Sequence, residues 1–135
     1  MPAFLPDEYV PDVDDRVRFY RRLAGAVTPE GVGRVADELR ERFGAMPETA
    51  RNLIGVARIK AAAAEAGATN VSIVRGRVVI APVSLTSGQR GRLAVSGAVY
   101  LEKDRKATFP RDPKAPPVEE VIAALDSVLA ALAAD

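Results

Sequence analysis

The sequence predicts an α+β fold: three N-terminal helices, then a small antiparallel sheet of about four strands, with a short helix and a long C-terminal helix packed on it. Two observations predict this order. Apolar residues recur at helical spacing as far as residue 67 and again from residue 117. Between these segments the spacing falls to two, in short runs separated by turns. Because 135 residues are one domain's length, we expect a single domain over 1–135, with a helical part at 12–67 and a sheet part at 68–135.

The three N-terminal helices are predicted from their caps and apolar spacing. An extended, proline-rich segment leads into the first, which Asp12 or Asp14 can cap. Thr28-Pro29-Glu30 starts the second with an N-cap, a proline and an acid, and Gly44 ends it. The third helix ends at Gly67. Their expected inward residues are Val17, Tyr20, Ala24 and Val27 in the first, Val32, Val35, Leu39 and Phe43 in the second, and Ala50, Leu53, Ile54, Ala57, Ala61 and Ala64 in the third.

Two hairpins are predicted to form the sheet. The first covers 71–80 and turns at Arg75-Gly76-Arg77, where the glycine supplies the positive φ, and Pro82 ends its second strand. The second pairs 98–101 with 106–109. Between them Thr86 and Gln89 have the spacing of a capping box, which predicts a helix over 87–94. The last helix starts at Pro117 and needs a partner surface, most economically the sheet, for the apolar stripe Val118, Val121, Ile122, Leu125, Val128, Leu129 and Leu132.

The chain contains no His and no Cys. This composition excludes a disulfide framework, a Cys/His zinc site, a Cys nucleophile and Ser-His or Cys-His relays. A pair of carboxylates needs no His, so a carboxylate-dependent enzyme stays chemically possible, although solvated helix faces explain most of the acids better. No signal peptide or membrane span is evident in the sequence, and we expect a soluble, cytoplasmic protein.

Two short motifs resemble ligand sites, but each lacks a structural feature that such a site requires. Residues 31–36 fit G-x-G-x-x-A, but Thr28-Pro29-Glu30 precedes them where a dinucleotide site requires a buried strand. Residues 12–16 begin like a calcium loop, yet Arg16 stands at the fifth position, where a ligand is needed. No P-loop is present. We therefore expect no cofactor, no metal and no catalytic residue in this chain.

The net charge of +1 conceals three zones of charge. Residues 7–44 hold nine acids and seven bases, 45–114 hold five acids and twelve bases, and 115–135 hold four acids and no base. The basic middle zone predicts a possible phosphate-contacting surface. Hairpin solubility or protection of sheet edges explains the same charges equally well. The candidate phosphate contacts are Arg75, Arg77, Arg90, Arg92 and Arg105.

An acidic pair marks the second helix. Glu38 and Glu41 are three residues apart beside the inward Leu39 and Phe43, so they project from one side of the helix. This pattern is typical of solvated surface, and it also suits a docking point for arginines of a partner.

Three ordered blocks of the sequence resemble the C-terminal domain of bacterial transcription-repair coupling factors. They are residues 5–12 (LPDEYVPD), residues 18–24 (RFYRRLA) and residues 37–48 (DELRERFGAMPE), and the resemblance covers residues 5–67. Beyond residue 68 only the order of strands and helices is similar.

The resemblance implies a non-catalytic regulatory domain of an ATP-dependent DNA translocase, which displaces stalled RNA polymerase and recruits UvrA. In that family the domain docks on the UvrB-like N-terminal module of the same protein, while other domains bind ATP and Mg²⁺. The contact uses acidic residues of the helix that ends in R-F-G, which correspond here to Glu38 and Glu41, with Arg42 beside them. Glu41 stands where the family commonly has Asp, which keeps the charge and lengthens its reach. UvrA and RNA polymerase are implied as indirect partners, and no membrane contact is implied.

Overall fold

The computed structural model describes residues 2–134. It confirms the α+β class, with five α-helices and one four-stranded antiparallel sheet among these residues. In chain order the elements are α1 (Val13–Gly25), α2 (Pro29–Phe43), α3 (Glu48–Ala66), β1 (Asn70–Val74), β2 (Arg77–Ala81), α4 (Ser87–Val95), β3 (Val99–Leu101), β4 (Lys106–Pro110) and α5 (Pro117–Leu132).

The chain forms two compact units, one as far as Ala61 and the other from Ala62 onward. The division lies within α3, whose last residues belong to the second unit. The sequence pattern changes a few residues later, at the glycine that ends this helix. Gly67 has a φ of 75°, the left-handed conformation expected of a helix C-terminus.

The inward face predicted for α1 is wrong. The helix buries Phe19 and Leu23, whereas Val17 and Tyr20 are 42% and 38% exposed, and Val27 lies beyond the helix end with 75% exposure. Ala24 is exposed as well. The true face is turned by about one residue, or roughly 100°, because the larger Phe19 and Leu23 recur four positions apart and bury more apolar area.

The N-terminal segment packs into the first unit, and this explains the position of Tyr20. Leu5 and Val10 are buried. The Tyr20 hydroxyl, on the outer side of α1, accepts a 2.8 Å hydrogen bond from the Leu5 N–H. Arg16 is half-buried and donates to the Val10 carbonyl at 2.6 Å. The segment is therefore tied to the helix that follows it.

Helix α2 begins and ends as predicted. The Thr28 hydroxyl accepts from the Gly31 N–H at 3.1 Å, and Pro29 is the first helical residue. Gly44 ends the helix with a φ of 85°. The inward residues Val32, Val35 and Leu39 are buried and Phe43 is half-buried; in α3, Ala50 and Ala61 are buried but Ala64 is exposed, against expectation.

Both predicted hairpins form, and the sheet order is β1-β2-β4-β3. In the first turn both Arg75 and Gly76 are left-handed, with φ of 51° and 74°, which is the geometry of a type I′ hairpin. In the second, residues 102–104 form a 3-10 turn and Arg105 has a φ of 50°. Pairing between β2 and β4 joins the two hairpins.

The sheet of the second unit has one buried face. Val78 and Ile80 of β2 lie beside Phe109 and Ala107 of β4, and all four are buried. Helix α5 packs against β2 and against α4, so the sheet is part of its partner surface rather than the whole. Its stripe is buried at Val121, Leu125 and Val128, and it begins at Pro117 as predicted. The capping box of α4 forms with both hydrogen bonds.

Candidate docking surface

Glu38, Glu41 and Arg42 lie together on the solvent side of α2. They occupy positions i, i+3 and i+4, so they share one side of the helix, while Val35 and Leu39 face the core. The structure therefore brings the three predicted partner contacts onto one surface. Which protein that surface contacts stays a prediction.

Glu38 is already paired within the chain. Its carboxylate forms an ion pair with the guanidinium of Arg22, in the last turn of α1. Both side chains are 41% exposed. The pairing neutralises one of the two carboxylates that a partner would approach.

Arg42 is held by aromatic rings and by a second acid from α1. Its guanidinium carbon lies 4.9 Å from the centre of the Phe43 ring and 5.7 Å from that of Phe19. Its Nη2 is 3.3 Å from Asp15 Oδ2. The side chain is thus fixed by cation–π contacts and one ion pair, although an i, i+4 pair with Glu38 is what the sequence alone favours.

These contacts form one α1–α2 charge cluster, which consists of Asp15, Arg18, Phe19, Arg22, Glu38 and Arg42. The residues surround a cavity of about 20 Å³. Arg22 stacks on the Phe19 ring at 5.6 Å, and Arg18 approaches Asp15 at 3.6 Å. With three arginines and two acids, the cluster carries one net positive charge. The predicted acidic patch is therefore a surface of mixed charge.

Glu41 differs from Glu38 in its surroundings. It is exposed, and no ion pair involves it among residues 2–134. Of the two predicted acidic contacts, only Glu41 presents a carboxylate without a competing cation.

Tyr9 fixes the C-terminal end of α2 beneath this surface. Its hydroxyl donates to the Gly44 carbonyl at 2.8 Å and lies 3.3 Å from the Leu39 carbonyl. Its ring packs against Phe43, with centres 5.8 Å apart. Burial raises the pKa of Tyr9, while the nearby Arg40 charge acts in the opposite direction. These contacts tie the last turn of α2 and the Gly44 carbonyl just beyond it to the N-terminal segment.

Sequence reasoning missed Asp15, Phe19 and Arg22 as members of the surface. Phe19 and Arg22 are three residues apart, which places them on the same side of α1. That spacing is a signal for a stacked arginine, but the face predicted to be buried did not include Phe19, so the signal was overlooked. No local pattern joins Arg22 to Glu38, because the two are 16 positions apart and meet only through the packing of α1 on α2.

The candidate phosphate contacts lie at opposite ends of the sheet. Arg77 pairs in register with Pro110, at the end that also carries the Arg75 turn, whereas Arg105 precedes the first residue of β4 at the other end. Five residues of strand separate the ends, roughly 17 Å. The five arginines therefore do not form one compact patch.

Several of these arginines also have partners within the chain. Arg77 donates from Nη2 to Thr108 Oγ1 at 3.1 Å and is half-buried. Arg90 pairs with Glu102 at 2.8 Å, and Arg105 lies 3.4 Å from the Ser84 hydroxyl. Arg92 is exposed in the last turn of α4, and Arg75 is exposed at the hairpin turn.

A groove of about 370 Å³ between α2 and α3 includes Glu30 and Asp37. Asp37 is 73% exposed and pairs with Arg40 at 3.1 Å, so it is a solvated surface acid. Gly31 and Gly33 lie within α2 itself. In the described part of the chain no three acidic side chains are grouped as metal ligands.

No helix within residues 2–134 has the length and apolar character needed to cross a membrane.

Known proteins similar to this chain belong to one family. The sequence profile of the TRCF domain matches residues 1–89. The transcription-repair-coupling factor of Escherichia coli (strain K12) is 42% identical over 67 residues, which are 50% of this chain and 6% of that protein. The factor of Mycobacterium bovis is 38% identical over 92 residues, 67% of this chain and 8% of that protein. The matches thus span less than a tenth of these relatives' lengths.

One solved structure has a similar fold over nearly the whole chain. The crystal structure of the C-terminal domain of a transcription-repair coupling factor superposes with a TM-score of 0.72 and covers 97% of this chain and 89% of that one. At 19% identity this likeness concerns the fold. It extends over the sheet unit, where the sequence resemblance is weak. The profile match over two thirds of the sequence and this shared fold together show that the chain belongs to the TRCF domain family.

Proposed function

We propose that this chain is a non-catalytic regulatory domain of a transcription-repair coupling factor, and that it docks on the UvrB-like N-terminal module of the same protein. The observation that carries the proposal is the shared exposed side of α2, where Glu38, Glu41 and Arg42 lie beside Arg22 of α1, which stacks on Phe19. Docking there would restrain an ATP-dependent translocase and mask its UvrA-binding surface until RNA polymerase is engaged.

The chemistry of the surface supports docking through charge. The half-exposed Glu38 and the exposed Glu41 suit the arginines of a partner, whose guanidinium groups can pair with carboxylates through two hydrogen bonds. Such contacts are steered by charge and weaken as salt rises. A docked state of this kind can be released, because coupling between closed and open states is typically a few kcal/mol, about 1–3.

The direct test is binding of this chain to the N-terminal module of the coupling factor from the same source. Isothermal titration at low salt compares the wild type with the double variant Glu38→Gln/Glu41→Gln. We expect about a ten-fold or greater weakening, since truncating interfacial charge pairs costs about 2 kcal/mol or more. The wild-type affinity should also fall as salt rises.

Glu65→Gln is the matched control, since Glu65 is an exposed carboxylate near the end of α3. It should bind like the wild type. In the whole coupling factor, charge reversal at Glu38 and Glu41 should raise basal ATPase activity and UvrA binding. The proposal would be contradicted if Glu38→Gln/Glu41→Gln bound like the wild type and the charge-reversal variant left ATPase activity and UvrA binding unchanged.

The alternative, a DNA-binding module that uses Arg75, Arg77, Arg90, Arg92 and Arg105, stays a prediction. The separation of these arginines between two ends of the sheet weighs against a compact site. Titration of the chain with duplex DNA at several salt concentrations tests it. A DNA-binding surface requires affinity at low salt with a steep salt dependence, and no affinity at low salt would remove the idea.

A further inference from the structure

The Arg22–Glu38 ion pair sets up a competition at the proposed docking surface. A partner's arginine and Arg22 would compete for the carboxylate of Glu38, whose side chain is 41% exposed. Glu41, one helical turn further on, has no such competitor among the described residues. Before any partner binds, Glu38 is therefore engaged in an ion pair and Glu41 is available.

We infer that Arg22 is an internal competitor which must release Glu38 before that carboxylate can pair with a docking partner. The inference rests on the proposed function and concerns the regulation of that same surface. Glu41 makes the first contact, and Glu38 joins only when Arg22 has turned away. Arg22 thus lowers the docking affinity and makes the docked state easier to reverse.

The contacts of the two arginines separate their roles. Arg42 is held by Asp15 and by two rings, Phe19 and Phe43, so it remains in place when Glu38 changes partner. Arg22 is held by Glu38 and by the Phe19 ring. Release of Glu38 leaves Arg22 stacked on Phe19 or free in solvent, at a small cost, because both members of the pair are half-exposed.

Removing the competitor should strengthen docking, and the test is Arg22→Gln in the titration with the N-terminal module. We expect affinity to rise about two- to five-fold, the range that an exposed ion pair can contribute. The matched control is Arg21→Gln, since Arg21 is the adjacent exposed arginine and no ion pair involves it in the described part of the chain. It removes the same charge and should not give this increase.

Two further variants isolate the pair. In a Glu38→Gln background the effect of Arg22→Gln should vanish, as a double-mutant cycle requires of residues that act on each other. Arg22→Lys keeps the charge with a less specific pairing geometry and should fall between the wild type and Arg22→Gln. Circular dichroism confirms that each variant is folded.

The outcomes separate the inference from the function on which it rests. Weaker binding by Arg22→Gln, or the same binding as Arg21→Gln, would show that Arg22 is itself a partner contact or a bystander and would overturn the inference. If the Glu38→Gln/Glu41→Gln variant binds as well as the wild type, the proposed function fails instead. A loss of binding in that variant together with a gain in Arg22→Gln supports both.

Discussion

At the scale of single residues, Tyr9 shows how a side chain outside the docking surface supports it. Its hydroxyl reaches the Gly44 and Leu39 carbonyls, and its ring lies against Phe43, on which Arg42 stacks. The N-terminal segment therefore holds the end of α2 from below while the charged residues face solvent. A phenol suits this place because its ring is apolar and its oxygen is a donor.

We predict that Tyr9→Phe lowers the free energy of unfolding by about 1 kcal/mol, the usual contribution of a hydrogen bond whose acceptors lose their donor. Urea denaturation at neutral pH measures the change. Tyr9→Leu should cost more, because it also removes the ring contact with Phe43. Equal stability of wild type and Tyr9→Phe would show that water replaces the hydroxyl without loss.

The raised pKa of Tyr9 predicts an effect of alkaline pH. A folded-state pKa above the unfolded value means that the folded protein holds the proton more tightly, so this stabilisation is complete below the unfolded pKa, about 10. It is lost as pH rises through the folded pKa. Urea midpoints between neutral and strongly alkaline pH should therefore fall more for the wild type than for Tyr9→Phe, and parallel curves would contradict this origin of the pKa.

At the scale of elements, local sequence signals predict where a helix begins and ends better than which side of it is buried. Thr28, Thr86 and Gly44 mark helix ends correctly because a cap requires only residues within one turn. The inward face of α1 depends on how the N-terminal segment packs, and Tyr20 is drawn to the Leu5 N–H on a side that the spacing alone does not identify. Local spacing therefore identified α1 as a helix but misplaced its buried side.

The start of α5 lacks a side-chain N-cap, since Pro116 occupies that position. Glu120, in the first turn of the helix, instead binds the preceding linker. Its carboxylate accepts from Arg111 Nε at 2.7 Å and from the Asp112 N–H at 2.8 Å, which fastens the proline linker to the first turns. The hydrogen bonds from Arg111 and Asp112 lower the pKa of Glu120.

We predict that Glu120→Gln lowers the melting temperature at neutral pH and that the difference disappears in acid. A lowered folded-state pKa means that the stabilisation is present above the unfolded pKa, about 4.3, and is lost as pH falls through the folded value. Thermal unfolding of both proteins between pH 7 and strong acid measures it. A difference that stays constant over this range would mean that packing, not charge, is responsible.

At the scale of the whole molecule, the chain's organisation agrees with the charge zones of its sequence. The acidic helical zone lies in the first unit, and the basic zone with the acidic last helix lies mostly in the second. Of the proposed docking surface, the sequence patterns identify only Glu38, Glu41 and Arg42. Its remaining members come from α1, and placing them needs the angle between two helices, which no sequence pattern within either helix contains.

Each unit has a fully buried leucine, Leu39 in the first and Leu125 in the second, both with 0% exposure. We predict that Leu39→Ala or Leu125→Ala costs about 2–5 kcal/mol of local stability, the range for a cavity left in a packed core. Hydrogen exchange should show the greater loss of protection for Leu125→Ala in residues 62–134 and for Leu39→Ala in residues 2–61, because the contacts that each leucine loses lie in its own unit. Equal loss in both units for either variant would mean that the two cores unfold as one cooperative structure, and the docking surface on α2 would then depend on the sheet as much as on its own helices.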